Sequence, residues 1–229
     1  MPKSKKKSRG FSLLELLIAM TVMLLALSIV SSLLARAWSV RARESRTSDA
    51  LATAQAALDV ISREVSNSGF GLYDEQTKIS NNGLVTTDCT AHKIRVLSNL
   101  ENEGGTVTSP GTTTLSINRP EEDVTYFFDL PTQSIVRYDP HGVQTSPGVY
   151  GPLTSVVVNR ISNVTFDYYN YAGSTSASTG PFTTPTNDTG RVKITVEVLL
   201  EPVVGQPNQR ITFSSDVTLR NNNYMLKQY

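Results

Sequence analysis

Twenty consecutive residues, Leu16–Ala35, carry no charge, no proline and no glycine. At a rise of 1.5 Å per residue, a helix of that length extends about 30 Å, the thickness of a bilayer's hydrocarbon core. Lys3, Lys5, Lys6, Lys7 and Arg9 precede the run with no acid among them. Cations concentrate on the cytoplasmic side of membrane helices, so this layout predicts a cytoplasmic N-terminus and export of residues 36–229. Arg36, Arg41, Arg43 and Arg46 follow the run and work against that bias, with Glu44 and Asp49 among them. The leader, having no acid, prevails.

Three simpler readings of this segment compete. A secreted signal peptide has an apolar region of only about 7–15 residues ending at small residues, and Ala35-Arg36-Ala37 imitates such a site. A plain signal anchor is the second, and a buried helix of a soluble protein the third, against which the length argues. Glu15 weighs against all of them. It stands at the edge of the apolar run, directly after Phe11-Ser12-Leu13-Leu14. A carboxylate at the centre of a membrane helix costs roughly 2.5–3.5 kcal/mol on insertion scales, and less near the interface. A bland anchor gains nothing from it, and the charge calls for a cationic partner.

The stretch from Lys7 to Ile18, KSRGFSLLELLI, resembles the processing signal of type IV prepilins and pseudopilins. In that family a membrane peptidase cuts after the glycine and methylates the new N-terminal residue. The resemblance implies cleavage between Gly10 and Phe11, with Glu15 becoming the fifth residue of the mature chain. It also implies the missing partner: the new amino group of a neighbouring subunit, paired with Glu15 inside a filament. A buried charge pair of that kind is tolerable where a lone carboxylate is not. One departure from the best-known members is that Ser31 and Ser32 occupy the neighbourhood where they carry a helix-breaking proline. The helix is therefore straighter, or loosens at the serines, whose hydroxyls compete for backbone hydrogen bonds.

Helical periodicity continues past the span. Leu51, Ala54, Leu58, Ile61 and Val65 recur in steps of three and four and form one apolar stripe, and Asn67-Ser68-Gly69 is a stop signal. One helix over Phe11–Ser66 is predicted, its second half docking on a sheet. After Gly69 the period changes to that of strands. Ile94–Leu97, Thr113–Asn118, Val124–Leu130, Ser134–Asp139, Val164–Tyr171, Arg191–Leu200 and Arg210–Leu219 are β-prone runs, separated by turn formers such as Pro140-His141-Gly142. Val124–Leu130 and Ser134–Asp139 read as a hairpin, and residues 172–190, rich in Ser, Thr, Gly and Pro, as a mobile surface loop. The fold class is therefore α+β: a long N-terminal helix, part membrane span and part amphipathic, packed on an antiparallel β-sheet head of the pilin kind. Its parts are a cleaved leader (1–10), a span that becomes filament core (11–35), an amphipathic half-stem (36–68) and a globular β-rich head (69–229).

Short pieces of the head resemble the large minor pilins and pseudopilins of the W and J types. They are Ile61-Ser62-Arg63-Glu64 with Gly69-Phe70, then Val124-Thr125-Tyr126, Ile135-Val136-Arg137, Val164–Tyr169 and Val217–Asn221. The resemblance implies a minor subunit of a type IV pilus that enters the bacterial inner membrane in a single pass. Its partners would be the prepilin peptidase, other minor pilins, the major pilin and the inner-membrane assembly platform. It would join at or near the filament tip to prime assembly. The family's extreme tip subunit characteristically lacks the glutamate, so Glu15 places this chain beneath it. A pseudopilin of a type II secretion system is the alternative within the family. A membrane-anchored adhesive or receptor module is the alternative from another class.

Other chemistry is sparse. Without the leader the chain has 16 basic and 20 acidic residues, so no nucleic-acid partner is expected. Cys89 is the single cysteine, and His92 and His141 lie far apart with no ligand-spaced companions. Asn187 and Asp188 offer oxygens of the kind calcium takes, but without the acidic repeat of a calcium loop, and turn chemistry explains them better. Tyr168, Tyr169 and Tyr171 are read as sheet packing before a binding patch. No nucleophile–base pair, phosphate loop or metal cluster is recognisable, so no enzymatic activity, cofactor or metal is expected.

Overall fold

The computed structural model describes residues 12–74, 79–80, 82–100, 106–109, 112–114, 117–171, 173, 176–200 and 210–222. Among the described residues a single helix, α1 (Leu13–Ser66), is followed by twelve strands. Internal contacts divide the chain between Ser48 and Asp49. Before that division every described residue of the helix is exposed except Thr47, which is half-buried. α1 runs through Ser31 and Ser32 without interruption, and the Ser32 hydroxyl donates to the Ile29 carbonyl at 2.9 Å. The Thr21 hydroxyl does the same with the Ile18 carbonyl, at 2.8 Å.

After the division the picture reverses. Ala54, Ala57, Leu58, Ile61 and Val65 form the buried face of α1, four of them from the predicted stripe; Leu51 stays half-buried. They pack in one core with two antiparallel sheets of four strands. The first sheet has the order β3 (Lys93–Leu97), β6 (Asp123–Asp129), β7 (Ser134–Ser146), β8 (Val149–Asn159). The second has the order β10 (Ala177–Phe182), β9 (Ile161–Tyr171), β11 (Thr189–Leu199), β12 (Arg210–Thr218). Two short pairs complete the set: β1 (Tyr73–Asp74) with β2 (Ile79–Ser80), and β4 (Thr106–Ser109) with β5 (Thr112–Thr114). The chain leaves the first sheet for the second at Arg160, a left-handed residue (φ 61°) whose carbonyl accepts the Leu199 N–H. The architecture is the α+β, pilin-like one the sequence predicts.

Alternation decides the inward face. Val192, Ile194, Val196 and Val198 are fully buried, whereas Lys193, Thr195 and Glu197 between them are half-buried. The β6–β7 hairpin also forms, with Asp129 opposite Ser134. Two expectations fail. Residues 177–182 lie within the predicted mobile loop but are strand β10, paired with β9 from Tyr171 to Tyr168 through two register shifts. An edge strand is held by its backbone, so a polar run can occupy it without an apolar pattern. Pro140-His141-Gly142, predicted as a turn, is an irregularity inside β7, between the Asp139–Leu153 and Val143–Gly151 pairs. The fully buried Asp139 carboxylate accepts the His141 N–H at 2.8 Å, which supplies the kinked backbone with a partner. β8 then pairs along β7, a strand the sequence reading did not include.

The end of α1 is tied from far away. Asn221 donates its side-chain amide to the Asn67 and Ser68 carbonyls, and the Arg220 N–H reaches the Ser66 carbonyl. Helix ends leave such carbonyls without intrahelical donors. Gly69 takes a left-handed φ of 78° in the turn just after the helix, and its N–H donates to Leu97. There the backbone of Gly83 comes so near that an added Cβ would lie 2.1 Å from the Gly69 nitrogen.

Candidate functional site

Gly10 and Phe11, the proposed processing residues, lie outside the described residues. Ser12 and Glu15 lie within them and form a reciprocal pair. The Ser12 hydroxyl accepts the Leu14 N–H at 3.2 Å, and the Glu15 carboxylate reaches back to accept the Ser12 N–H at 3.3 Å. This is the capping-box arrangement, in which a Ser and a Glu three residues on satisfy the free donors of a helix start. A carboxylate in the first turn also meets the positive end of the helix dipole. The sequence argument that an ordinary anchor gains nothing from Glu15 therefore needs correcting, because starting the helix is reason enough for a glutamate here. The signal was legible as Ser12-x-x-Glu15 and was missed. Only one carboxylate oxygen is engaged by Ser12, which leaves the other for a second partner.

Beyond this cap, α1 has the length and composition to cross a membrane, and its most apolar stretch has no residue buried by the rest of the protein. An uncovered apolar helix joined to a β-rich domain is the class of a membrane-anchored, pilin-like protein. The particular match is to the prokaryotic N-terminal methylation motif, whose family model covers residues 5–31. That match makes the chain type IV prepilin-like at its N-terminus, with the processing context that the motif carries. No curated protein and no solved structure matches the chain.

The other sequence candidates lie in the second unit. His92 and His141, 49 positions apart, line one groove of about 810 Å³ together with Lys93, Arg95 and Tyr138. The groove lies on the outer side of the first sheet, where Arg95, Thr125 and Tyr138 stand side by side in register. The Arg95 guanidinium donates through Nε (2.8 Å) and Nη2 (2.7 Å) to Asp123 and through Nη1 to Asp88. The hydrogen bond from Arg95 holds the Asp88 carboxyl below its ordinary range. His92 Nδ1 is 2.6 Å from the Val164 carbonyl, which fixes that nitrogen as the protonated one and leaves Nε2 open. Among the described residues no cluster of three metal-ligating side chains forms.

Asn187 and Asp188 stand in a turn whose carbonyls are already engaged. The Asn82 amide donates to Thr186 (3.0 Å) and Thr189 (3.1 Å), and the Asn222 amide also reaches Thr189. Tyr168 is fully buried with its hydroxyl 3.2 Å from the Thr90 carbonyl, Tyr171 is buried, and Tyr169 lies under the Arg191 guanidinium at 4.1 Å. Their part is packing. Cys89 is buried, its sulfur accepts the Arg95 N–H at 3.3 Å, and burial pushes its thiol pKa up, away from the reactive thiolate.

Proposed function

We propose that this chain is a structural, non-enzymatic minor pilin of a type IV pilus system. It enters the inner membrane in a single pass with its N-terminus in the cytoplasm and is cut between Gly10 and Phe11 by the prepilin peptidase. It then joins other minor pilins, and through them the major pilin, near the filament tip to prime assembly at the inner-membrane platform. The observation that carries this reading is the methylation motif over residues 5–31, with Glu15 at the edge of an uncovered span. The leader cations support the orientation. In the filament the Glu15 carboxylate, already turned toward the helix start by Ser12, would meet the amino group of a neighbouring subunit. The same motif fits a type II secretion pseudopilin, and a secretin gene beside short prepilin genes of one system or the other would decide between them.

Mass spectrometry of the protein from its native membranes is the test. A methylated Phe11 N-terminus is expected, and Gly10 replaced by a bulky residue should leave the leader attached. An N-terminus at Trp38 would instead mean ordinary signal-peptide cleavage and would sink the reading. Glu15→Ala should insert and be cut but fail to co-purify with other minor pilins. Assembly at wild-type levels would remove Glu15 from the assembly contacts.

A further inference from the structure

Just past the uncharged span, α1 carries Arg36, Trp38, Arg41 and Arg43 within eight residues. All four side chains are exposed, Trp38 to 62%. Glu44 is the one acid among residues 36–46, and no described carboxylate pairs with Arg36, Arg41 or Arg43. These cations oppose the orientation set by the leader, so insertion does not explain their presence.

Their depth does. Each headgroup layer is about 5–7 Å thick, which is about four residues of helix at a 1.5 Å rise. With the span ending at Ala35, that layer holds Arg36 and Trp38. Arg41 and Arg43 lie roughly one to two turns further on. Helical side chains lean toward the N-terminus, so their long chains reach back toward the same layer. Guanidinium groups match phosphate oxygens two at a time, and the amphipathic ring of tryptophan favours this interface. The distribution around the axis separates lipid from a partner helix. Arg36 and Arg43, seven apart, share one face, whereas Arg41 stands about 140° away from Arg36. A neighbouring helix would meet one face, but a lipid annulus meets all of them.

We propose that Arg36, Trp38, Arg41 and Arg43 form a collar that binds the phosphates of anionic phospholipids at the C-terminal end of the span. The proposal rests on the membrane-anchored reading above. The collar fixes the depth of the subunit in the bilayer and must be given up when the subunit leaves it.

Trp38 is the only tryptophan in the chain, so its fluorescence reports the collar alone. The full chain would be reconstituted in mixed phosphatidylcholine and phosphatidylglycerol vesicles, with bromine on the acyl chains of one lipid or the other. Brominated phosphatidylglycerol should quench Trp38 more than its mole fraction predicts, with a relative affinity of about fivefold per engaged arginine at low salt. That preference should fall toward parity at high salt. The triple variant R36Q/R41Q/R43Q keeps a good helix former at each position and should lose the preference while still floating with the vesicles. Equal quenching by both lipids in the wild type, or an undiminished preference in the variant, would overturn the collar alone. No quenching by either lipid, with a chain that does not float, would overturn the collar and the membrane anchor together.

Discussion

The two parts of α1 share a backbone and differ in what covers them. From Leu13 to Val40 the large apolar residues are 48–84% exposed, on every side of the helix. From Ala54 to Val65 one narrow stripe carries the burial, with Ala54, Ile61 and Val65 at 0% exposure. An all-round apolar helix needs an apolar medium from outside the protein, whereas a single stripe is satisfied by the protein's own core. The comparison teaches that hydrophobicity alone does not assign a stretch to a core; its distribution around the helix does.

The harshest test removes the stripe. A chain beginning at Thr47 should fold as a β-rich domain, whereas one beginning at Gly69 should not. Leu58, Ile61 and Val65 each contribute about 1.5–3 kcal/mol of burial, together comparable to the whole stability of an ordinary domain. Equal thermal stability of the two chains would show that the stripe does not hold the sheets. A milder test compares like with like. Ile61→Ala should lower the stability of the second unit by about 2–5 kcal/mol. Ile29→Ala, at a position 61% exposed, should leave its urea midpoint in detergent within error.

Alkaline pH should separate the two parts next. Tyr126 and Tyr168 are fully buried, and burial, the largest cause, raises both phenols above their ordinary value of 10.0. In the unfolded chain each releases its proton near pH 10, while the folded protein retains it. Their contribution is thus complete below about pH 10 and is lost as pH rises beyond it, by about 1.4 kcal/mol per pH unit for each tyrosine. Urea midpoints followed by tyrosinate absorbance should fall above pH 10, and Tyr126→Phe should make the fall shallower. Trp38 emission should hold steady. The smallest effect is local: Ser12→Ala removes one side of the helix cap, at about 0.5–2 kcal/mol. It should speed amide exchange in the first turn and leave the melting temperature of the second unit unchanged.

What the sequence revealed follows from where side chains carry the information. The span, the stripe and the alternation of Val192 to Val198 are periodic in apolar residues, and periodicity is readable. Strand β10 is not, because Ala177–Phe182 is held by backbone pairing and by hydroxyls such as Thr179 on the Asn170 carbonyl at 3.1 Å. The continuation of β7 through Pro140 was hidden for a related reason. It depends on the Asp139 carboxylate serving a nearby backbone N–H, which a turn would also require. The groove at His92 and His141 was invisible because only strand register brings the two together. Glu122 was hidden likewise: this buried carboxylate accepts the N–H groups of Leu100, Asn118 and Arg119, and nothing in its neighbouring residues announces it.

The ties between the end of α1 and the last strand set a schedule for biosynthesis. Ser62 meets Ser215 across 153 positions, and the Asn221 amide serves Ser68 across the same separation. Translation at about 5–20 residues per second puts roughly 8–30 s between the emergence of one partner and the other. Throughout that interval the stripe from Ala54 to Val65 has been made but lacks β12 and Leu219, which complete its cover. The nascent chain therefore exposes a greasy seam before the head can close. A holdase that shields the nascent chain is the natural protection for that window.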